Sequence, residues 1–212
     1  MLHLAAVSGC VTYESRRPDC TGRDCSFESY ENYKLAHVEF RDSGLYLDLD
    51  QVTRLEQELD NELAAGKGVV VVVFVHGLEG SSRPNAVNLQ KFKQVLVDVG
   101  LEANGAKSKQ SIFGIHVGWR GQSWIVDRLS AATFGARRAS AKAIGQGQFH
   151  ELLYRLSSIR LRHNRENFKK NGSITEAGNL IPQNLKFRYF PTTYSLNNFC
   201  EFSQNSRCIS TC

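Results

Sequence analysis

Val69-Val70-Val71-Val72-Val73-Phe74-Val75 is followed directly by His76-Gly77, and this stretch decides the fold class. All but one of its seven apolar residues are β-branched, which favours a strand over a helix. A strand without a polar residue on either face is buried on both sides, and such strands occur in parallel sheets that helices cover. The stretch therefore predicts an α/β protein with this strand inside the sheet.

Apolar side chains recur at helical spacing before and after this strand. A loosely alternating segment over residues 35–40 predicts an earlier strand, and Ser111–Gly118 is expected to form a second buried strand. The order strand, helix, strand, helix predicts right-handed crossovers and adjacent parallel strands. The apolar stripes of the helices are Val52, Leu55, Leu59 and Leu63, then Leu89, Phe92, Leu96 and Val99, and finally Phe149, Leu152, Leu153, Leu156 and Ile159.

Capping residues and glycines predict where these helices begin and end. Asp48 or Asp50 is expected to cap the first helix, because a carboxylate accepts hydrogen bonds from the free backbone amides there. Gly100 is expected to end the second helix. Gly145 and Gly147 are expected to break or kink the long helical region after the second buried strand.

The distribution of charge divides the chain. Of 212 residues, 42% are hydrophobic, which suffices for one core, and the formal net charge is +5. The whole excess lies in residues 160–212, which carry 8 Lys and Arg against 3 Asp and Glu. We therefore predict a leader over 1–34, an α/β unit over 35–160, and a basic, Asn-rich, irregular tail over 161–212. No apolar run is long enough to span a membrane.

The cysteines lie near the two ends of the chain and lack the paired spacing of a zinc site. Val7-Ser8-Gly9-Cys10 is similar to the lipobox of a bacterial lipoprotein, which predicts lipidation of Cys10 and attachment to the cell envelope. A signal peptide requires Lys or Arg before its apolar segment, and none is present here. The alternative is therefore an ordinary apolar N-terminus and a cytoplasmic location. Cys20 and Cys25 fit either a small disulfide or two reduced thiols.

Two strand ends carry the motifs that point to a family. One strand ends in Phe74-Val75-His76-Gly77 and the other in Val117-Gly118-Trp119-Arg120-Gly121, and an Arg137-Arg138 helix runs on to Glu151-Leu152-Leu153. Residues 35–160 thereby resemble the N-terminal half of a serine α/β-hydrolase of the bacterial esterase/lipase-like kind. The resemblance implies a partial α/β-hydrolase-type parallel sheet with flanking helices. It also implies ester hydrolysis by a serine nucleophile, without metal or organic cofactor.

The same resemblance assigns an oxyanion loop to His76, Gly77 and Leu78, with the backbone amide of Leu78 as donor. The imidazole of His76 is then expected to pack and hydrogen-bond beneath the loop. Such an enzyme also needs a serine on a Gly-x-Ser-x-Gly elbow, followed by an acid and a histidine. No Gly-x-Ser-x-Gly occurs in the chain, and His163 follows the predicted helix too closely to be the late histidine. The catalytic residues are therefore unknown.

From this we expect a truncated or frameshifted hydrolase that is inactive, with the C-terminal part of the sheet missing or replaced by the irregular tail. An uncovered sheet edge predicts marginal stability or aggregation. Ser81, Ser82 and Ser123 lie near the expected site without an elbow around them. Each is a poor candidate for the nucleophile.

Trp119, Arg120 and Trp124 follow the second buried strand, where α/β proteins bind their ligands. They are candidates for the rim of a pocket, with Arg120 either binding a carboxylate or phosphate or bracing the loops. His116, inside the strand, is expected to be a core histidine.

The alternative function is that of a non-enzymatic interaction protein. Its basic residues would contact anionic partners, although no nucleic-acid-binding module is recognisable and nucleic acid is not expected. Intact relatives would act on a small acyl or ester substrate, and the oligomeric state stays open. The basic residues concerned are Arg160, Arg162, Arg165, Lys169 and Lys170.

Overall fold

The computed structural model describes residues 26–65, 68–77, 82–105, 110–119, 130–171, 185–191 and 200–201. The elements follow the chain in the order β1 (Phe27–Ser29), β2 (Lys34–Glu39), α1 (Leu49–Ala64), β3 (Gly68–Val75), α2 (Val87–Gly105), β4 (Gln110–Gly118), α3 (Ser130–Gln146), α4 (Gln148–Asn171), β5 (Leu185–Pro191) and β6 (Cys200–Glu201).

The strands form one sheet in the order β1-β2-β4-β3-β5-β6. The four central strands β2, β4, β3 and β5 are parallel, and the short strands β1 and β6 pair with them antiparallel at the two edges. The predicted mixed α/β fold, with a mostly parallel sheet and flanking helices, is confirmed at this level. β3 and β4 are adjacent and parallel, as the βαβα pattern predicts.

The valine strand is buried on both faces, as its sequence predicts. Val69, Val71 and Val73 belong to a core that includes residues of α1, α3 and α4. Val70, Val72 and Phe74 belong to a second core with α2. Alternate residues of a strand point to opposite faces, so the sheet separates α2 from the other three helices.

The helix boundaries agree with the sequence in two places and differ in one. Asp48 caps α1, with its carboxylate accepting a hydrogen bond from the Asp50 backbone N–H at 2.9 Å. α3 ends at Gln146 and α4 begins at Gln148, so Gly147 is the break, while Gly145 lies inside α3. The expectation that Gly100 ends α2 is wrong, because the helix continues to Gly105. A glycine inside a helix costs only about 1 kcal/mol, and Gly100 is buried between neighbours that hold the helix in place.

The expectation of irregular structure after residue 160 is corrected in two places. α4 continues to Asn171, and its charged second half is held against α1 by ion pairs described below. Leu185–Pro191 forms β5 and pairs with β3 over Val69–Val75, which covers the edge that we expected to be open. Apolar and charged residues alternate in Leu-Lys-Phe-Arg-Tyr-Phe-Pro, which lacks the continuous apolar run that is typical of a central strand.

No helix in the described residues is long and apolar enough to cross a membrane.

Candidate functional site at the carboxyl edge of the sheet

The carboxyl ends of β2, β4 and β3 lie side by side. The register pairs Glu39 with Gly118 and Val75 with Val117, so the residues that follow these strands emerge at one edge of the sheet. Ligands of open α/β sheets bind outside this edge. The edge is therefore the place where the sequence motifs after β3 and β4 meet.

His76 and Trp119 join the ends of β3 and β4, and we call this contact the His76–Trp119 latch. The Trp119 backbone N–H donates to His76 Nε2 at 3.1 Å, and the indole Nε1–H donates to the His76 carbonyl oxygen at 2.8 Å. The two rings stack with centroids 5.4 Å apart and planes 4° from parallel. Two hydrogen bonds and a stacking contact thus fix the turn after β3 to the residue after β4.

The second imidazole nitrogen of His76 is also engaged. His76 Nδ1 lies 3.0 Å from the Gly77 carbonyl oxygen, and because Nε2 accepts from Trp119, Nδ1 carries the proton and donates. The side chain is 2% exposed, and burial lowers the pKa of His76 from 6.5 to about 4, with the hydrogen bond to Gly77 opposing the shift. At neutral pH the imidazole is uncharged, and both of its nitrogens are hydrogen-bonded to backbone groups.

Trp119 is placed at the edge that we predicted, but it is 4% exposed and its indole N–H is already bound. Its role in this structure is to hold the turn after β3. Leu78, Arg120 and Trp124 lie outside the described residues, as do Ser81, Ser123 and the lipidation candidate Cys10.

Ser82 and Glu39 flank Gly118 at the same edge. The Ser82 side chain is buried, and its Oγ has no hydrogen-bond partner among the described residues. A Cβ built on Gly118 would overlap Ser82 Oγ and would lie 3.0 Å from Ser82 Cβ and 3.2 Å from Glu39 Cγ. Only glycine allows the segment at Ser82 to pack this closely against the end of β4.

Glu39 is a buried carboxylate that sequence reasoning missed. It is 2% exposed, and Gln51 in the first turns of α1 binds it twice. The Gln51 Oε1 accepts from the Glu39 backbone N–H at 2.7 Å, and Gln51 Nε2 donates to Glu39 Oε2 at 3.2 Å. A glutamate within the strand predicted over residues 35–40 was the available signal.

Three buried imidazoles form a row across the sheet on the α2 side, and we call them the histidine row. His116 of β4 lies between His37 of β2 and His76, with ring centroids 5.4 Å and 5.8 Å away. His37 Nε2 is 3.2 Å from Glu28 Oε1 at the far end. His116 is thus a core histidine, as expected. Among the described residues no group of His, Cys, Asp and Glu has the arrangement of a metal site.

Part of the basic sequence after residue 160 is bound within the fold. Arg162 Nη2 lies 2.6 Å and 2.7 Å from the two carboxylate oxygens of Asp60 on α1, and His163 Nε2 lies 3.0 Å from the same group. Earlier on α4, Arg155 pairs with Glu151 and with Glu56 of α1. These ion pairs tie α4 to α1.

No family model, curated protein or solved structure matches this chain.

Proposed function

We propose that this chain provides the oxyanion half of a serine α/β-hydrolase-type site and does not supply the nucleophile. The reaction class of the complete site is hydrolysis of an ester or other acyl bond. In that reaction a backbone amide after β3 stabilises the negative charge that develops on the carbonyl oxygen.

The observation that carries the proposal is the engagement of both His76 nitrogens. Because Nε2 accepts a hydrogen bond from Trp119 and Nδ1 donates one to Gly77, neither imidazole nitrogen is available to hydrogen-bond a substrate. The part of the turn that would serve a reacting group is therefore its backbone, and the turn follows a strand at the edge where α/β proteins bind ligands. An oxyanion loop has the same requirement, a rigid turn with available amides.

Ser82 does not meet the requirements of a nucleophile. A reactive serine needs an adjacent base within hydrogen-bond reach and an exposed hydroxyl. Ser82 Oγ is buried against Gly118 and has no such partner in the described part of the chain. With no Gly-x-Ser-x-Gly elsewhere in the sequence, the acyl-enzyme route lacks its first step in this chain.

The test is labelling of the purified, folded chain with a fluorophosphonate probe, alongside hydrolysis of a short-chain p-nitrophenyl ester. We expect no labelled serine and hydrolysis at the background rate, with an active serine hydrolase labelled in parallel as the positive control. A cooperative unfolding transition in the same preparation shows that the chain is folded. Stoichiometric labelling of any serine that is lost on heat denaturation would overturn the proposal, and peptide mapping would identify that serine.

The alternative, an interaction protein that binds anionic partners through its basic residues, has less support. Arg162 is neutralised by Asp60 in a contact with both carboxylate oxygens, which reduces the charge available to a partner. Lipidation of Cys10 and attachment to the cell envelope stay predictions from the sequence.

A further inference from the structure

We propose that the His76–Trp119 latch is an acid-sensitive switch, in which a proton taken up at His76 Nε2 breaks the hydrogen bond from the Trp119 backbone and loosens the contact between the ends of β3 and β4. The switch does not depend on the hydrolase chemistry, because it involves only contacts within the fold.

The switch follows from the direction of one hydrogen bond. His76 Nε2 is the acceptor of the Trp119 backbone N–H at 3.1 Å. A proton added to Nε2 turns that acceptor into a donor, so two N–H groups then point at each other. Since Nδ1 already donates to Gly77, the ring cannot restore the bond by changing tautomer.

The surroundings offer the added proton little compensation. His76 is 2% exposed, so water does not solvate the new N–H unless the turn moves. The face of the Trp119 indole attracts a cation, which favours the charged ring. That attraction does not remove the opposition between the two N–H groups, and separating them requires the stack to shift.

Neighbouring ionisable groups lie along the histidine row and at the end of β2. His116 of β4 is in ring contact with His76, and His37 of β2 is in ring contact with His116. The carboxylate of Glu28 on β1 binds His37 and Lys93 of α2, with Lys93 Nζ 2.8 Å from Glu28 Oε2. Glu28 is therefore placed to compensate a charge on His37 at the other end of the row.

A second carboxylate, Glu39, lies across Gly118 and is bound by Gln51. The hydrogen bonds of the His76 ring itself are to backbone groups of Gly77 and Trp119. Burial keeps the pKa of His76 near 4, so the latch is closed at neutral pH and opens in acid.

The experiment uses the full chain with Trp124→Phe, which leaves Trp119 as the single tryptophan. An imidazolium stacked on an indole quenches its emission, and departure of the ring changes the emission again. We expect Trp119 emission to change with a midpoint near pH 4, while the far-UV circular dichroism that reports the helices is still that of the neutral form.

Two variants in the same background separate the latch from the rest of the row. His76→Gln retains an amide oxygen that accepts a hydrogen bond but does not titrate, and it should abolish the emission change near pH 4. His116→Gln removes the middle imidazole and should retain the change. Persistence of the change in His76→Gln, or coincidence of the emission and dichroism midpoints in the Trp124→Phe chain, would overturn the proposal.

A second measurement uses no histidine variant and therefore does not depend on whether such a variant folds. Nitrogen-15 spectra of histidine-labelled chain report which imidazole nitrogen carries the proton. We expect His76 to be the Nδ1–H tautomer at pH 7 and to gain a proton on Nε2 near pH 4. An Nε2–H tautomer at pH 7 would contradict the direction of the hydrogen bond, and with it the switch.

Discussion

Replacing Gly118 with alanine tests the packing of the candidate site. The new methyl group would overlap Ser82 Oγ, and rotating that hydroxyl away leaves Ser82 Cβ at 3.0 Å and Glu39 Cγ at 3.2 Å. Both remaining contacts are shorter than ordinary van der Waals separations, so Ser82 and Glu39 must move by a few tenths of an ångström. Overpacking of this kind costs about 1–3 kcal/mol, and we expect Gly118→Ala to lower the free energy of unfolding by that amount.

The assay is urea denaturation at neutral pH, followed by circular dichroism, on four chains that form a double-mutant cycle: the original, Gly118→Ala, Ser82→Gly and the double variant. Ser82→Gly removes two of the three close contacts, so the second substitution should recover part of the loss. We expect a coupling of about 1 kcal/mol or more between the two positions.

Ser82→Ala serves as the control for the buried hydroxyl. Because Ser82 Oγ has no hydrogen-bond partner among the described residues, its removal should be neutral or stabilise the fold by about 1 kcal/mol. A neutral Gly118→Ala, or strictly additive effects of Gly118→Ala and Ser82→Gly, would refute the packing argument.

Two further predictions concern the helix junction and pH. Gly147→Ala should destabilise the fold by about 1–3 kcal/mol, because its Cβ would lie 2.7 Å from the carbonyl oxygens of Ala143 and Gly44. Gly145→Ala should stabilise α3 by about 0.5–1 kcal/mol, because among the described residues its Cβ would meet nothing within 4 Å outside its own helical turn. Equal effects of the two substitutions in thermal unfolding would contradict this. The pKa of His76 is about 4 in the folded chain, against an ordinary value of 6.5, so the unfolded chain binds the proton more readily. The resulting contribution of His76 to the free energy of unfolding, about 3 kcal/mol, is therefore complete above pH 6.5 and is lost as the pH falls towards 4. His76→Gln should flatten the dependence of unfolding free energy on pH over that interval, and an unchanged slope would show that other groups produce it.

The parts of the fold that the sequence predicts are those that a continuous or periodic apolar pattern specifies. Val69–Val75 has no polar residue, so its burial on both faces follows from composition alone, and the stripe of α1 fixes its buried side. β5 was missed because a strand with Lys186 and Arg188 does not have the pattern of a central strand. Its place is specified by pairing with β3, which is a property of the whole sheet.

The candidate site also has parts that the sequence predicts and parts that depend on how the strands pair. The motifs predict that the turn after β3 is important and that His76 packs beneath it. They do not predict that Trp119 is the residue to which it binds, because the register of β3 and β4 brings the two together. Glu39 was overlooked because a glutamate at the end of a strand is usually exposed, and its burial depends on Gln51 of the following helix.

The pairing of β3 with β5 has a consequence for the synthesis of this chain. Val69–Val75 has high β-propensity, no charge and no proline, which are the properties of segments that aggregate. One of its edges is covered when β4 is made, but the other is covered only by Leu185–Pro191, which is synthesised well after β4. The nascent chain on the ribosome therefore passes through an interval in which this strand has an open edge, and we expect chaperone binding during that interval to affect the yield of folded protein.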